Sequence, residues 1–316
     1  MRGWLCVAMA VAACGRSPAT SEAGDGSAIP PRNRCAEKRQ HFKTHFISER
    51  VDRGPRKPDQ PDSTLSLVQY RSPLGPMWAY VTPDPHDGRR HPAVVWAYGG
   101  FDFSITASFF AEHGAPENDQ SARGLIDAGL IVMFASYRGW HDNPGQPEML
   151  LGEVDDYLAA ADYVRALPYV DSDHLYLAGH STGGSIVALA AGLTDKYRAA
   201  FSFSPIGHIR DYGMEFRFDV ASPDDLEWTL RSPAACIADV RRPIWITAGA
   251  EEGNAISVRQ IGRAAASARV PAHITLIPGA DHFTSIGPTV ASLAAQIKAD
   301  IGPTPSFSFD GVAAAR

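Results

Sequence analysis

Leu175-Tyr176-Leu177-Ala178-Gly179-His180-Ser181-Thr182-Gly183-Gly184-Ser185-Ile186-Val187-Ala188 is the stretch on which the fold turns. Its first four residues form a short apolar run, as a strand buried on both faces does. The small-residue run after Gly183 reads as a helix reaching Leu193. Between them lies Gly179-x-Ser181-x-Gly183. Where a strand turns sharply into a helix, the serine hydroxyl stands exposed above the sheet, and glycines two positions either side keep Cβ atoms out of the crowded turn. The start of the helix aims N–H groups and a positive dipole end at developing negative charge. Gly-x-Ser-x-Gly alone is a weak signal. Set between a buried strand and a helix, it makes Ser181 a candidate nucleophile, which then needs a base beside it.

Working outward, strands and helices alternate. Leu65 to Tyr70 and Met77 to Thr82 are β-rich and joined by Ser72-Pro73-Leu74-Gly75-Pro76, a hairpin signature. Ala93 to Ala97, Leu130 to Ser136, Ala199 to Phe203, Ile244 to Ala248 and His273 to Ile277 are further strands. Leu151, Val154, Leu158, Ala161, Val164 and Leu167 recur at three and four, which predicts a helix over Glu148 to Leu167, ended by Pro168. Helices are also expected near Ile256–Ala268 and Ser285–Ile301. This alternation argues for a mostly parallel central sheet with helices on both faces. Pro205 to Pro243 is longer than a simple connection and fits a small cap.

With such a sheet and elbow, the expected architecture is the α/β-hydrolase fold, in which the base comes last in chain order. His282 lies in Gly279-Ala280-Asp281-His282-Phe283, directly after the last strand. The carboxylate that fixes the tautomer of that histidine should follow the strand Ile244 to Ala248. Gly249-Ala250-Glu251-Glu252-Gly253 offers two glutamates. Glu252, three residues beyond Gly249, is preferred and Glu251 is the runner-up. Asp281 adjoins His282, but neighbours in a loop seldom face each other well enough to bond.

Tyr98-Gly99-Gly100-Phe101-Asp102-Phe103-Ser104-Ile105-Thr106 resembles the Tyr-Gly-Gly-Phe stretch of the prolyl oligopeptidase family of serine peptidases. Glu153-Val154-Asp155-Asp156 through Pro168-Tyr169-Val170-Asp171 to Gly179-His180-Ser181-Thr182-Gly183-Gly184 is similar to the same family, as is Arg231-Ser232-Pro233 leading to Arg242-Pro243-Ile244-Trp245-Ile246. The likeness covers roughly residues 64 to 301. It implies an oxyanion hole made by the N–H of Thr182 and the hydroxyl of Tyr98. The alternative second donor is the Gly99 N–H, with Tyr98 a strand-end aromatic. Phe101 would line an apolar substrate pocket, or pack within its loop. Two departures bear on substrate: the acid is glutamate rather than aspartate, and 316 residues leave no room for the family's β-propeller.

Composition narrows the remaining classes. A net charge of −6 gives no electrostatic footprint for nucleic acid. No Gly-x-Gly-x-x-Gly or P-loop is present, so no nucleotide cofactor is implied. Neither Cys35 nor Cys236 belongs to a metal-ligand cluster. His41-x3-His45-x3-Glu49 reads as a polar helix face rather than a metal site. No metal or organic cofactor is expected. Arg2 followed by a short apolar run to Ala13 reads as a signal peptide (1–13), and Val11-Ala12-Ala13-Cys14-Gly15 as a bacterial lipoprotein site with Cys14 as the lipidated residue. Residues 14–63 then form a flexible tether and irregular segment, 64–301 the catalytic domain and 302–316 a tail. Export would permit a Cys35–Cys236 disulfide without showing that the two meet. The expected protein is therefore an exported, lipid-anchored serine hydrolase of the cell envelope, cleaving a small ester or short peptide through an acyl-enzyme. Carboxylesterase activity is favoured over peptidase activity. A catalytically weak relative used for binding is the alternative from another class.

Overall fold

The computed structural model describes residues 35–48, 57–62, 64–213 and 225–315. One sheet contains β1 (Ser66–Ser72), β2 (Gly75–Val81), β3 (His91–Ala97), β4 (Ile131–Ala135), β5 (Val170–His180), β6 (Ala199–Phe203), β7 (Ile244–Gly249) and β8 (Ala272–Ile277). The spatial order is β1-β2-β4-β3-β5-β6-β7-β8. Pairs β1/β2 and β2/β4 are antiparallel and the other five are parallel. The difference follows from the connections. Only Pro73 and Leu74 separate β1 from β2, which permits a hairpin, whereas parallel neighbours need a crossover. Every residue of β4, β6 and β7 is buried, so both faces of the sheet are covered. This is the α/β-hydrolase fold.

The helices are α1 (Cys35–Gln40), α2 (Ala107–Ala111), α3 (Arg123–Asp127), α4 (Gly152–Arg165), α5 (Thr182–Ala190), α6 (Asp225–Thr229), α7 (Pro233–Cys236), α8 (Asn254–Ser267) and α9 (Ile286–Ala299). Helix α3 packs on α9, α4 on α5, and α7 on α8. The five-residue helices α2 and α3 are too short to show a periodicity in sequence. Helix α4 begins at Gly152 rather than Glu148, because Met149 and Leu150 adopt left-handed backbone (φ 55° and 68°). Glu148 instead pairs with Arg138 and accepts from Thr44 Oγ1 at 2.5 Å. Strand β5 begins five residues earlier than its apolar run, carrying the polar Asp171-Ser172-Asp173-His174. Of the expected cap, 205–213 and 225–243 are described. They consist of 3-10 turns at Ile209–Tyr212 and Ile237–Asp239 with α6 and α7.

The described parts of the terminal stretches, 35–48 and 302–315, are more structured than composition suggests. Cys35 and Cys236 form a disulfide with Cα atoms 5.5 Å apart. Beside it, Ala36 N–H donates to Asp239 Oδ2 (2.9 Å), Arg39 pairs with Asp155 (2.9 Å), and His45 N–H donates to Glu227 (2.8 Å). Helix α1 ends at Gln40, so His41 and His45 share no helix face, contrary to the sequence expectation. The His45 ring lies 3.2 Å from the buried Glu227 carboxylate, and Glu49 lies outside the described residues. At the other end, Phe307 and Phe309 of the expected tail are buried against Phe201, and Trp245 Nε1–H donates to the Phe307 carbonyl. The stretch expected to be a signal sequence, with Cys14, also lies outside the described residues.

Candidate active site

Ser181 sits at the junction of β5 and α5, with φ 57° and ψ −120°. A non-glycine residue avoids that region unless its surroundings enforce it. Here its N–H donates to the Phe203 carbonyl at the end of β6 (2.8 Å), and its carbonyl accepts from Ser185 N–H (3.0 Å) as the helix begins. A Cβ on Gly179 would stand 2.6 Å from the Ala97 carbonyl oxygen, and one on Gly183 would overlap that oxygen and lie 2.7 Å from the Tyr98 carbonyl. Both positions therefore require glycine for close approach to the end of β3.

Three loops at the carboxyl ends of the strands bring the remaining groups to Ser181. His282 Nε2 lies 3.1 Å from Ser181 Oγ, and His282 Nδ1–H donates to Glu252 Oε2 at 2.5 Å. The other carboxylate oxygen, Oε1, accepts from Ser204 Oγ (2.6 Å) and Gly249 N–H (2.9 Å). Asn254 Nδ2 in turn donates to the Ser204 carbonyl (2.7 Å). Glu252 is nearly buried and His282 a quarter exposed. A carboxylate fixed at both oxygens holds the imidazole with its proton on Nδ1, leaving Nε2 to accept the serine proton. Glu251, by contrast, is exposed. Asp281 accepts from the Phe283 and Thr284 N–H groups, which holds its carboxyl below the usual range and commits it to shaping the turn.

Thr182 is the first residue of α5, so its N–H has no partner within the helix and lies beside the serine. Its hydroxyl donates to the Gly100 carbonyl, tying the 98–106 loop to the elbow. Gly99 passes so close that a Cβ there would stand 3.0 Å from Ser181 Cβ. The Tyr98 hydroxyl is committed elsewhere. It donates to the Ser104 carbonyl (3.0 Å), its ring packs edge-on to Phe103 and Phe110, and burial pushes its pKa well above that of an ordinary phenol. Of the two second donors expected from sequence, the arrangement therefore favours the backbone of Gly99 over the hydroxyl of Tyr98. Phe101 meets Tyr212 edge-on at 4.8 Å between ring centres, and the Tyr212 hydroxyl lies 3.5 Å from Ser185 Oγ. The two rings join the 98–106 loop to the turn after Gly207.

Sequence reasoning passed over Ser204, Tyr212 and His180. A polar residue at the carboxyl end of a strand next to β5 was the available signal for Ser204. Tyr212 stood in a segment with no periodicity. His180, next to the serine in sequence, lies beside His282, the two rings 4.6 Å apart centre to centre.

The sheet order and the Ser181-centred constellation define a serine hydrolase of the α/β-hydrolase class. Residues 117–231 match the model of the prolyl oligopeptidase family, so the domain is similar to that family's catalytic domain. The chain is 28% identical to dipeptidyl-peptidase 5 of Porphyromonas gingivalis over 150 residues, 45% of this chain and 20% of that protein. It thus spans about a fifth of the length of that curated relative. Among solved structures, dipeptidyl peptidase 4 of Porphyromonas gingivalis superposes with TM-score 0.62 at 18% identity, over 74% of this chain and 35% of the other. An esterase of Pyrobaculum calidifontis superposes with TM-score 0.57 at 20% identity, over 76% of this chain and 87% of the other.

Proposed function

We propose that this protein is a carboxylesterase that hydrolyses small acyl esters through an acyl-enzyme on Ser181. The observation carrying the reading is the relay from Ser181 Oγ to His282 (3.1 Å) and on to Glu252 (2.5 Å). As Ser181 Oγ attacks the ester carbonyl, its proton passes to His282 Nε2, and Glu252 stabilises the imidazolium that forms. The oxyanion is received by the N–H groups of Thr182 and Gly99. His282 then gives the proton to the departing alcohol. Water, deprotonated by the same nitrogen, attacks the acyl-enzyme and releases the acid and free Ser181. Phe101 with Tyr212 forms an apolar wall for the acyl portion.

Two observations favour ester over peptide. The fold likeness includes a protein named as an esterase, of which 87% is covered, against 35% of the dipeptidyl peptidase. Asp211, a described acidic residue of the cap that could have met a substrate amino group, accepts from His208 N–H (2.9 Å) within its own turn. The second reading, a peptidase for short peptides, draws on the family match over 117–231 and the likeness to dipeptidyl-peptidase 5. A fluorophosphonate should label wild type and leave Ser181→Ala unlabelled. Wild type that stays folded and unlabelled defeats the enzyme reading in favour of a binding role. Esters and amides of one acyl group, compared by kcat/KM, then decide between esterase and peptidase.

We also propose export and anchoring through Cys14. The Val11-Ala12-Ala13-Cys14 sequence supports this, as does a disulfide of the kind that persists in oxidising compartments. Cys14→Ser should move the protein from the membrane to the soluble fraction, and unchanged partitioning would rule the anchor out.

A further inference from the structure

His180 is buried, and the relay does not use it. Its Nε2 lies 3.0 Å from the His282 carbonyl oxygen. A carbonyl only accepts, so Nε2 carries the hydrogen and Nδ1 is left with a lone pair. That Nδ1 is buried without a partner and faces Gly99, where a Cβ would come within 3.4 Å of it. The ring also lies 4.6 Å from the His282 ring, centre to centre, inclined at 50°. His180 is therefore wedged between the loop that carries Gly99 and the loop that carries the base.

We infer that His180 is a positioning residue for His282: its Nε2–H anchors the His282 main chain and sets the height of the imidazole over Ser181 Oγ. The inference rests on the serine-hydrolase reading proposed above. The unpartnered Nδ1 makes the imidazole a costly choice for mere filling, since an apolar ring would leave no buried acceptor unpaired. What the imidazole contributes is the bond at its other nitrogen. The rest of the His282 loop offers that carbonyl little else: Ser285 Oγ reaches it at 3.5 Å, the limit of a hydrogen bond. Asp281 accepts from the Phe283 and Thr284 N–H groups within the turn, and the turn is tied outward by Glu251 N–H to the Ala280 carbonyl (3.0 Å) and Ala315 N–H to the Thr284 carbonyl (2.8 Å), but none of these bonds holds the His282 carbonyl itself. His180 ties the turn to β5, the strand that leads into Ser181, so nucleophile and base share one support. Burial, helped by the neighbouring His282, pushes the His180 pKa well below that of an ordinary imidazole. The ring therefore stays neutral and does not oppose the charge His282 acquires.

The test compares two amides of different reach. The longer side chain of the His180→Gln variant can place its amide N–H near the position of Nε2, whereas that of His180→Asn extends only to the position of Nδ1. With an ester substrate, His180→Asn is expected to lose on the order of tenfold in kcat, the size of one hydrogen bond, with KM little changed. The rate of fluorophosphonate labelling should fall in parallel. His180→Gln should stay within about threefold of wild type on the same scale. His180→Leu, which fills the space without a donor, serves if the asparagine variant does not fold, and is expected to behave like it. Equal kcat for the glutamine variant and the donor-less one, at equal melting temperature, would overturn the inference. So would a loss that appears in KM alone. Wild type that fails to label overturns the hydrolase reading and this inference together; wild type that labels, with the variants equal, overturns only the role of His180.

Discussion

Replacing Glu252 by glutamine changes one atom, yet the structure gives that atom a direction. Glu252 Oε1 receives two donors, Ser204 O–H and Gly249 N–H, and Oε2 receives the third from His282 Nδ1. A glutamine amide has one oxygen to offer, and the end with two donors claims it. The NH2 then faces His282 Nδ1, which must become an acceptor, so its proton moves to Nε2 and points at Ser181 Oγ. In that tautomer the imidazole cannot take the serine proton. Turning the amide over forfeits two hydrogen bonds and sets donor against donor, about 3 kcal/mol in all, or roughly a hundredfold in population. The lost charge-assisted bond to the imidazolium removes about 1.5–3 kcal/mol more, a further factor of roughly ten to a hundred. Glu252→Gln should therefore lower kcat for ester hydrolysis by roughly a thousand- to ten-thousandfold with KM nearly unchanged. Glu251→Gln, on an exposed side chain, should leave kcat near wild type. The assay is initial-rate hydrolysis of a chromogenic acetate ester, with melting temperature measured alongside. A folded Glu252→Gln enzyme within about tenfold of wild type would refute the assignment of the acid and the reasoning about its orientation.

Three further outcomes are expected. Burial raises the Glu153 carboxyl from 4.5 to about 7, with Arg138 partly opposing. The folded state therefore holds that proton between about pH 4.5 and 7, and stability from this group is full below 4.5 and lost as pH rises through 7. Glu153→Gln should raise the melting temperature at about pH 8 relative to about pH 4.5, with a ceiling of about 3 kcal/mol, and an equal effect at both pH values would count against it. Gly183→Ala drives a methyl into the end of β3 and should yield no folded, active enzyme; Gly253→Ala, with nothing within 4 Å of its added carbon, should fold and serve as the control. Breaking the Cys35–Cys236 bond, which spans 201 residues, should destabilise the chain by up to about 5 kcal/mol in chemical denaturation. Unchanged unfolding of Cys35→Ser would mean that the hydrogen bonds of Ala36 and Arg39 suffice to hold α1.

How much of this was written in the sequence depends on what kind of signal each element leaves. Buried parallel strands announce themselves as apolar runs, so Ala93–Ala97, Ala199–Phe203 and Ile244–Ala248 were legible nearly to their ends. Turns after those strands carry chemistry, so Ser181, Glu252 and His282 could be named from position and residue type. What brings them together is tertiary. The left-handed backbone at Met149 and Leu150 holds the start of α4 back to Gly152, four residues after the expected Glu148. The fate of the Tyr98 hydroxyl depends on the Ser104 carbonyl lying 3.0 Å away, which no local pattern encodes. Ser204 reaches Glu252 across 48 residues, and Cys35 reaches Cys236 across 201.

The positions that hold the relay in place are largely glycines, and the reason is geometric. The end of β3 meets the elbow only because Gly179 and Gly183 carry no Cβ, and Gly99 runs beside Ser181 at a spacing that a side chain would widen. On the opposite side, a Cβ on Gly249 would overlap the carbonyl oxygens of Ala280 and Asp281, the residues immediately before His282. The acid loop and the base loop are thus pressed together main chain to main chain, and Gly249 N–H is at the same time a donor to the Glu252 carboxylate. A larger residue at Gly249 would part the two loops and withdraw one of the donors that orient the acid in a single displacement. Catalytic groups must be held to within about half an ångström to be effective. In this protein that tolerance is set by backbones in contact, with the side chains of Ser204, Asn254 and His180 fixing what the close approach leaves free.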